Sequence, residues 1–228
     1  IVLPSKMGDV AKGVFIVKDK NIAYSQAMPL VVFEKINDLL ALLLWCVFGL
    51  LVLQNFGGLY LFLLGLSLSF LVFGLLAISS KPFINSAFDL IVFLLPRKFS
   101  FDINQFRNGW SEVCNFVNKD KTKVFWLSLL SIFIWFVHLF QIWLFILALS
   151  SNVSFFASLA ITPIVIFAGL IPLTFSGIGT RDFAFIFFYS AYFSAATGAA
   201  LGLLATLRYI IPAIAGIPFF SYYIKKIR

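Results

Sequence analysis

The chain has 228 residues, of which 62% are hydrophobic and only 11% charged, with a formal net charge of +8 and a mean hydropathy of +1.04. Soluble domains carry about 25% charged residues, so this balance excludes an ordinary water-soluble domain and predicts an integral membrane protein. The basic excess reads as cytoplasmic loops facing anionic lipid headgroups rather than as a nucleic-acid surface.

The chain begins at Ile1 with no initiator Met and no signal-peptide pattern, so further membrane segments are expected ahead of it. Residues 1–26 are too polar to span, because Lys6, Asp9, Lys12, Lys18, Asp19 and Lys20 interrupt every apolar run. Within them, Leu3-Pro4-Ser5-Lys6-Met7-Gly8-Asp9 combines Pro, Gly, a base and an acid. Taken alone it is an interfacial loop with a helix start, since Pro and Asp favour helix N-termini. From Met28 the chain turns apolar, with Glu34, Lys35 and Asp38 at the entrance. Glu34 and Asp38 are four apart and share a helix face. Two stacked carboxylates at a membrane edge repel unless a cation or proton sits between them; a helix end at the water interface is the plainer reading.

Leu39 to Leu53 continues without a charge, Gln54-Asn55-Phe56-Gly57-Gly58 makes a tight turn, and Leu59 to Ile78 is a second span near the ~20 residues a bilayer needs. Ser79 to Lys123 then sets Lys81, Arg97, Lys98, Arg107, Lys119, Lys121 and Lys123 against Asp89, Asp102, Glu112 and Asp120. The segment 80–123 is therefore expected to be a basic cytoplasmic loop. Ala87 to Leu95 is apolar but too short to cross and ends at Pro96, which predicts a half-buried or interfacial helix. Phe106, Trp110, Val113 and Val117 follow helical spacing and predict a second amphipathic one.

Val124 to Ser150 is a long span whose single His138 is read as hydrogen-bonded packing rather than a proton carrier. Phe155 to Leu170 follows an uncharged turn, Ser151-Asn152-Val153-Ser154. Then comes Ile171-Pro172-Leu173-Thr174-Phe175-Ser176-Gly177-Ile178-Gly179-Thr180-Arg181-Asp182. Pro172 removes a backbone donor and the glycines permit angles that other residues resist, while Arg181 and Asp182 are costly in hydrocarbon without partners or water. Broken backbone at membrane depth is tolerated only where protein buries it or it lines a cavity, so the stretch is expected to separate two half-helices at a polar site. Phe183 to Ala195 is short. Thr197 to Tyr223 is longer and contains Arg208, for which Asp38, Glu34 and Asp182 are the candidate acid partners; Lys225, Lys226 and Arg228 place the C-terminus in the cytoplasm. Charge alone leaves 155–170 and 183–195 open between full spans and re-entrant halves.

Cys46 lies in an apolar run and Cys114 in a polar linker, so neither a disulfide nor a metal site is expected from them. The two polar breaks share the order apolar lead-in, Pro, hydroxyl, Gly and acid. Paired Gly/Pro-interrupted segments in two halves point to a transporter's substrate site. Pro4-x-Lys6-x-Gly8-Asp9-x-x-Lys12, Glu34-Lys35-x-x-Asp38, Pro172 through Ser176-Gly177-x-Gly179-x-Arg181-Asp182, and Arg208 together resemble the flippase-like proteins that share the transmembrane region of lysylphosphatidylglycerol synthases, also called multiple peptide resistance factor. The family more often has Glu at Asp9 and Asp182, Arg at Lys6, Lys12 and Lys35, and Gly-Gly at Ser176-Gly177, so charge sign is kept. The resemblance implies an all-α, polytopic transmembrane helical bundle with re-entrant half-helices in two inverted repeats, occupying 1–228 as one domain of the cell membrane.

It also implies translocation of an anionic phospholipid or polyprenyl-phosphate lipid through a polar cavity. The expected substrate-binding residues are Arg181, Asp182, Arg208, Gly177, Gly179, Ser176, Glu34, Asp38, Lys6 and Asp9. No cofactor or metal, no nucleic acid and no catalytic role is expected, and lysyl transfer is assigned to a synthase domain that this stretch does not include. The alternatives are a membrane-embedded lipid-phosphate transferase or hydrolase, which would need a nucleophile, base or metal cluster, and a scaffold for a lipid-modifying enzyme, in which Gly198, Ala199, Ala200 and Gly202 serve helix packing.

Overall fold

The computed structural model describes residues 24–53, 57–94, 100–170, 174 and 177–227, together with Val17. The described residues contain no strand. Among the described residues eight helices follow one another: α1 (Tyr24–Leu53), α2 (Gly58–Ser79), α3 (Lys81–Leu94), α4 (Ser100–Lys119), α5 (Lys121–Ala148), α6 (Phe155–Gly169), α7 (Thr180–Phe188) and α8 (Ala195–Ile227). Four of them hold segments long and apolar enough to cross a membrane: Ala27–Leu53, Gly58–Ser79, Lys121–Ala148 and Ala195–Gly216. Their outward Leu and Phe side chains, such as Phe62, Phe73, Phe125 and Phe133, are exposed. That is the expected surface where lipid is the solvent and backbone polar groups are satisfied inside each helix.

The described residues form two compact units. One takes the described residues up to Ala41 together with Leu68–Ile132. Its core joins Phe33, Leu40, Ile78, Phe88, Trp110, Val113 and Cys114, so the predicted amphipathic stripe of α4 is a packing face. The reason lies at the C-terminal end of α2, where the last carbonyls have no partner within the helix. Trp110 Nε1 donates to Ala77 O at 3.1 Å, and Asn118 Nδ2 donates to Ser79 O at 3.2 Å. Gly109 lets α4 approach α1, since a Cβ there would lie 2.0 Å from Ser25 O. Arg107 ties α4 to α3 through Asn85 Oδ1 at 3.0 Å and Asp89 Oδ1 at 2.8 Å. The predicted interfacial helix of 87–95 is longer than expected, starting at Lys81; Pro96 lies outside the described residues.

Cys114 is fully buried and free. Burial pushes its thiol above the ordinary value, while Lys81 and a hydrogen bond with Trp110 pull it partly back. A raised thiol stays protonated at neutral pH, and only the thiolate reacts quickly. In a Cys46→Ser background, maleimide labelling of the folded protein at pH 7.5 is expected to be about tenfold or more slower than after unfolding in SDS. Equal rates would contradict the burial.

The second unit takes Leu42–Ser67 and Phe133–Arg228. Its main core gathers Ile142 and Ile146 of α5, Ile161 and Val165 of α6, Phe185 of α7 and Leu201 and Ala205 of α8, with Tyr189 between the last two helices. Ser154 caps α6, accepting from Ala157 N at 3.2 Å. Ser194 does the same for α8 from Thr197 N at 3.3 Å, which is why that helix starts at Ala195 rather than Thr197. Gly49 of α1 packs on α6: a Cβ there would lie 2.2 Å from Ala160 O, a backbone atom with no room to yield. Gly49→Val is expected to destabilise the protein by about 1–3 kcal/mol, read as a lower melting temperature in detergent.

The short apolar run at 183–195 resolves into a nine-residue helix, α7, followed by turns at Tyr189–Tyr192 and a bend at Phe193. Ser190 Oγ donates to Phe187 O at 2.9 Å, a local side-chain bond of the kind that competes with helix continuation. Nine residues rise about 14 Å, against a hydrocarbon core of about 30 Å. Helix α7 alone is too short to cross a bilayer.

Candidate functional site

The junction between α6 and α7 is built by three glycines. Gly177 and Gly179 hold φ of 75° and 99°, a region from which other residues are sterically discouraged. A Cβ on Gly177 would lie 2.5 Å from Gly169 O, and one on Gly169 would lie 2.8 Å from Arg181 Cβ. The return of the chain against the end of α6 therefore requires small residues at both points. Thr174 and Thr180 join the loop through their hydroxyls at 3.0 Å. Ser176 falls outside the described residues, as do Lys6 and Asp9.

Arg181 and Asp182 occupy the second and third positions of α7, where unpaired amides and the helix dipole favour negative charge. Asp182 takes that role. Its Oδ2 accepts from Gly179 N at 3.1 Å, and its Oδ1 faces Arg181 NH2 at 3.3 Å. Arg181 is 9% exposed. The same NH2 donates to Thr206 Oγ1 at 2.5 Å and to Gly202 O at 3.2 Å. Its Nε is buried and has no hydrogen-bond partner. A buried unsatisfied donor costs about 1–3 kcal/mol, more when it belongs to a charged group.

Helix α8 is shaped to receive this end of α7. A Cβ on Gly202 would lie 2.5 Å from Asp182 Oδ1, and one on Gly198 2.9 Å from Ile186 Cγ1. Gly198 and Gly202 are four apart, as are Asp182 and Ile186, so a smooth strip of α8 meets one face of α7. The small-residue packing expected at Gly198 and Gly202 thus positions the arginine. At the C-terminal end of α7, Tyr189 OH lies 2.8 Å from Thr162 Oγ1 and 3.3 Å from Ser158 Oγ, and all three residues are fully buried. This hydroxyl cluster joins α6 to the turn after α7. Its sequence signal is Ser158 and Thr162 at helical spacing inside an apolar run, and it was missed.

A crevice of about 300 Å³ lies on the other face of α7, lined by Leu59, Ala168, Thr180, Phe183 and Phe187 among others. The rings of Phe183 and Phe187 stack at 6.2 Å. Hydrocarbon would meet only apolar surface there.

Arg208 is held differently from the expectation. Its NH1 donates to Gln141 Oε1 of α5 at 3.3 Å, its NH2 bonds to Tyr209 OH, and its guanidinium carbon lies 4.6 Å from the Tyr209 ring centre. Asp182, one of the three acids considered for it, is engaged by Arg181 instead. Within the other unit, Asp38 accepts from Ser131 Oγ at 3.0 Å. Ser131 accepts from Asn37 Nδ2 at 2.9 Å, and Ser128 Oγ donates to Asn37 Oδ1 at 2.8 Å. Asn37, Ser128 and Ser131 thus fix Asp38 on α1, while Glu34 stands half-buried one turn earlier. Neither serine stands out from the apolar run around it in the sequence. His138 stands edge-on to Trp135 at 5.8 Å.

Both cysteines are free, and among the described residues no group of three or more His, Cys, Asp or Glu side chains is placed to hold a metal ion. What the junction offers is a buried, incompletely satisfied guanidinium at a helix N-terminus, with an apolar crevice on another face of the same short helix. That combination suits an oxyanion attached to hydrocarbon.

No curated protein and no solved structure matches the chain. The model of one family, described as "Lysylphosphatidylglycerol synthase TM region", matches residues 1–216.

Proposed function

The chain belongs to the lysylphosphatidylglycerol synthase TM region family, a multi-pass membrane protein, and on that premise we propose that it translocates a lipid carrying a phosphate headgroup from one leaflet to the other. One observation carries the reading: Arg181 is buried at the start of a helix too short to span, with its Nε lacking a partner. A lipid phosphate supplies the missing acceptor, and its charge is offset by the guanidinium and the N-terminal end of α7. The adjacent crevice at Phe183 and Phe187 takes the chain.

In this reading α6 and α7 are the two arms of a re-entrant hairpin, with Gly177 and Gly179 shaping its tip. Ser176, Lys6 and Asp9, which lie outside the described residues, are assigned in this reading as further headgroup contacts. Glu34 and Asp38 serve a cation, proton or cationic headgroup, and Arg208 also meets phosphate. The basic segment 80–123 and the C-terminus face the cytoplasm of the cell membrane, where they meet anionic lipids.

Translocation leaves the substrate chemically intact. The discriminating experiment incubates proteoliposomes with headgroup-labelled phosphatidylglycerol and with a polyprenyl phosphate, then compares leaflet distribution with lipid mass. The expected result is redistribution at unchanged mass. A new lipid species without redistribution would replace this reading with a transferase or hydrolase.

A further inference from the structure

Arg208 and Arg181 both touch α8, but from different sides. Arg181 lies against Gly202 O and Thr206 Oγ1. Arg208 follows Thr206 by two residues, which is about 200° around an α-helix and only about 3 Å along it. It continues instead the stripe of Leu201 and Ala205, which packs into the core cluster holding Ile142 and Ile146 of α5. Gln141, the acceptor of its NH1, precedes Ile142 directly.

A charged side chain inside a span ordinarily pairs with an acid, faces water or snorkels to the interface. Arg208 does not pair with an acid among the described residues: its partners are a neutral amide and a phenol. Nor is it placed to snorkel, because eight residues, about 12 Å of helix, separate it from the end of the apolar window Ala195–Gly216. Its Nε is buried and has no partner. The neighbours retain donors as well. Gln141 uses its oxygen toward Arg208, which leaves its amide hydrogens, and Tyr209 accepts from Arg208, which leaves its hydroxyl hydrogen. A fixed positive charge, three unused donors and no counter-charge describe a site for an anion with several oxygens.

We propose that Arg208, Gln141 and Tyr209 form a second oxyanion-binding station, on a face of α8 turned away from Arg181, that takes a phosphate group. It rests on the lipid reading only for the source of that phosphate. Two stations at one level of the same helix give the chain two headgroup positions rather than one shared pocket. The stations then load independently, and losing one arginine leaves the other occupied.

Native mass spectrometry of the full chain in detergent tests this with dioctanoyl phosphatidic acid as the probe, inorganic phosphate as a second arm and dioctanoyl phosphatidylcholine as the background. Wild type is expected to hold two phosphatidic acids above background, Arg208→Gln one, Arg181→Gln one, and the double variant none. Arg208→Lys, which keeps the charge, is expected to retain two and shows that loss in Arg208→Gln is not a folding failure. Two bound phosphates in the second arm make the stations general for phosphate, and none makes them specific for the lipid; either result keeps them. One bound lipid in wild type, two in Arg208→Gln, or none in either single variant overturns the proposal. Stoichiometry is read without leaflet exchange, so a protein that binds two lipids and moves none would retain the stations and lose the translocation reading.

Discussion

Arg181→Gln is expected to slow leaflet exchange by about tenfold or more. A hydrogen bond to a charged group contributes about 1.5–3 kcal/mol, and each 1.4 kcal/mol is about tenfold. The guanidinium has two tasks that must be separated. Its NH2 clamps α7 to α8 through Thr206 Oγ1 and Gly202 O, whereas its Nε is unused. Thr206→Val removes the 2.5 Å clamp bond and leaves the charge. If the arginine acts on the headgroup, Thr206→Val retains most of the exchange and Arg181→Lys falls between, since an ammonium keeps the charge without the planar fork. Equal losses in Arg181→Gln and Thr206→Val, matched by equal drops in melting temperature, would reduce Arg181 to a packing residue.

Gly202→Val is the second large effect. Its Cβ would fall 2.5 Å from Asp182 Oδ1 and 2.7 Å from the carboxyl carbon. Asp182 is held by Gly179 N and Arg181 NH2, so it yields only by giving up the α7 cap. Overpacking of this kind costs about 1–3 kcal/mol, and displacing the carboxylate also disturbs the arginine. Both the melting temperature in detergent and the exchange rate are expected to fall. Gly65→Val is the control, because a Cβ there meets nothing within 4 Å; it is expected to change stability by less than about 0.5 kcal/mol. A Gly202→Val protein as stable and active as Gly65→Val would contradict the close approach of α7 and α8.

These effects show which parts of the molecule were legible from residues alone. Long apolar runs report spans directly, because only helices satisfy the backbone in lipid, and α1, α2, α5 and α8 lie where hydropathy put them. The break before α7 was legible because Pro172, Gly177, Gly179, Arg181 and Asp182 contradict their surroundings. Partners were not. An acid was the natural expectation for Arg208, yet a neutral glutamine 67 positions away meets it, and nothing in the periodicity of α5 singles out Gln141. The stripe of α4 was legible, but not that Trp110 and Asn118 would serve the carbonyl end of α2, since that depends on how two distant helices meet. Asp182 was read as a site charge, and the fold also uses it as a helix cap. Its position, three residues after Gly179, carried that signal.

The translocation claim meets its most direct test in a comparison of proteoliposomes holding the wild-type full chain with protein-free liposomes of the same composition. Fluorescent headgroup-labelled phosphatidylglycerol or polyprenyl phosphate is placed in both leaflets, and an impermeant quencher is added outside. Without exchange, quenching stops near half of the signal; with exchange, it continues toward completion. The account predicts continued quenching with wild-type protein for at least one of these phosphate lipids. Quenching that stops at the same level as in protein-free liposomes for every anionic and polyprenyl lipid tried would contradict it.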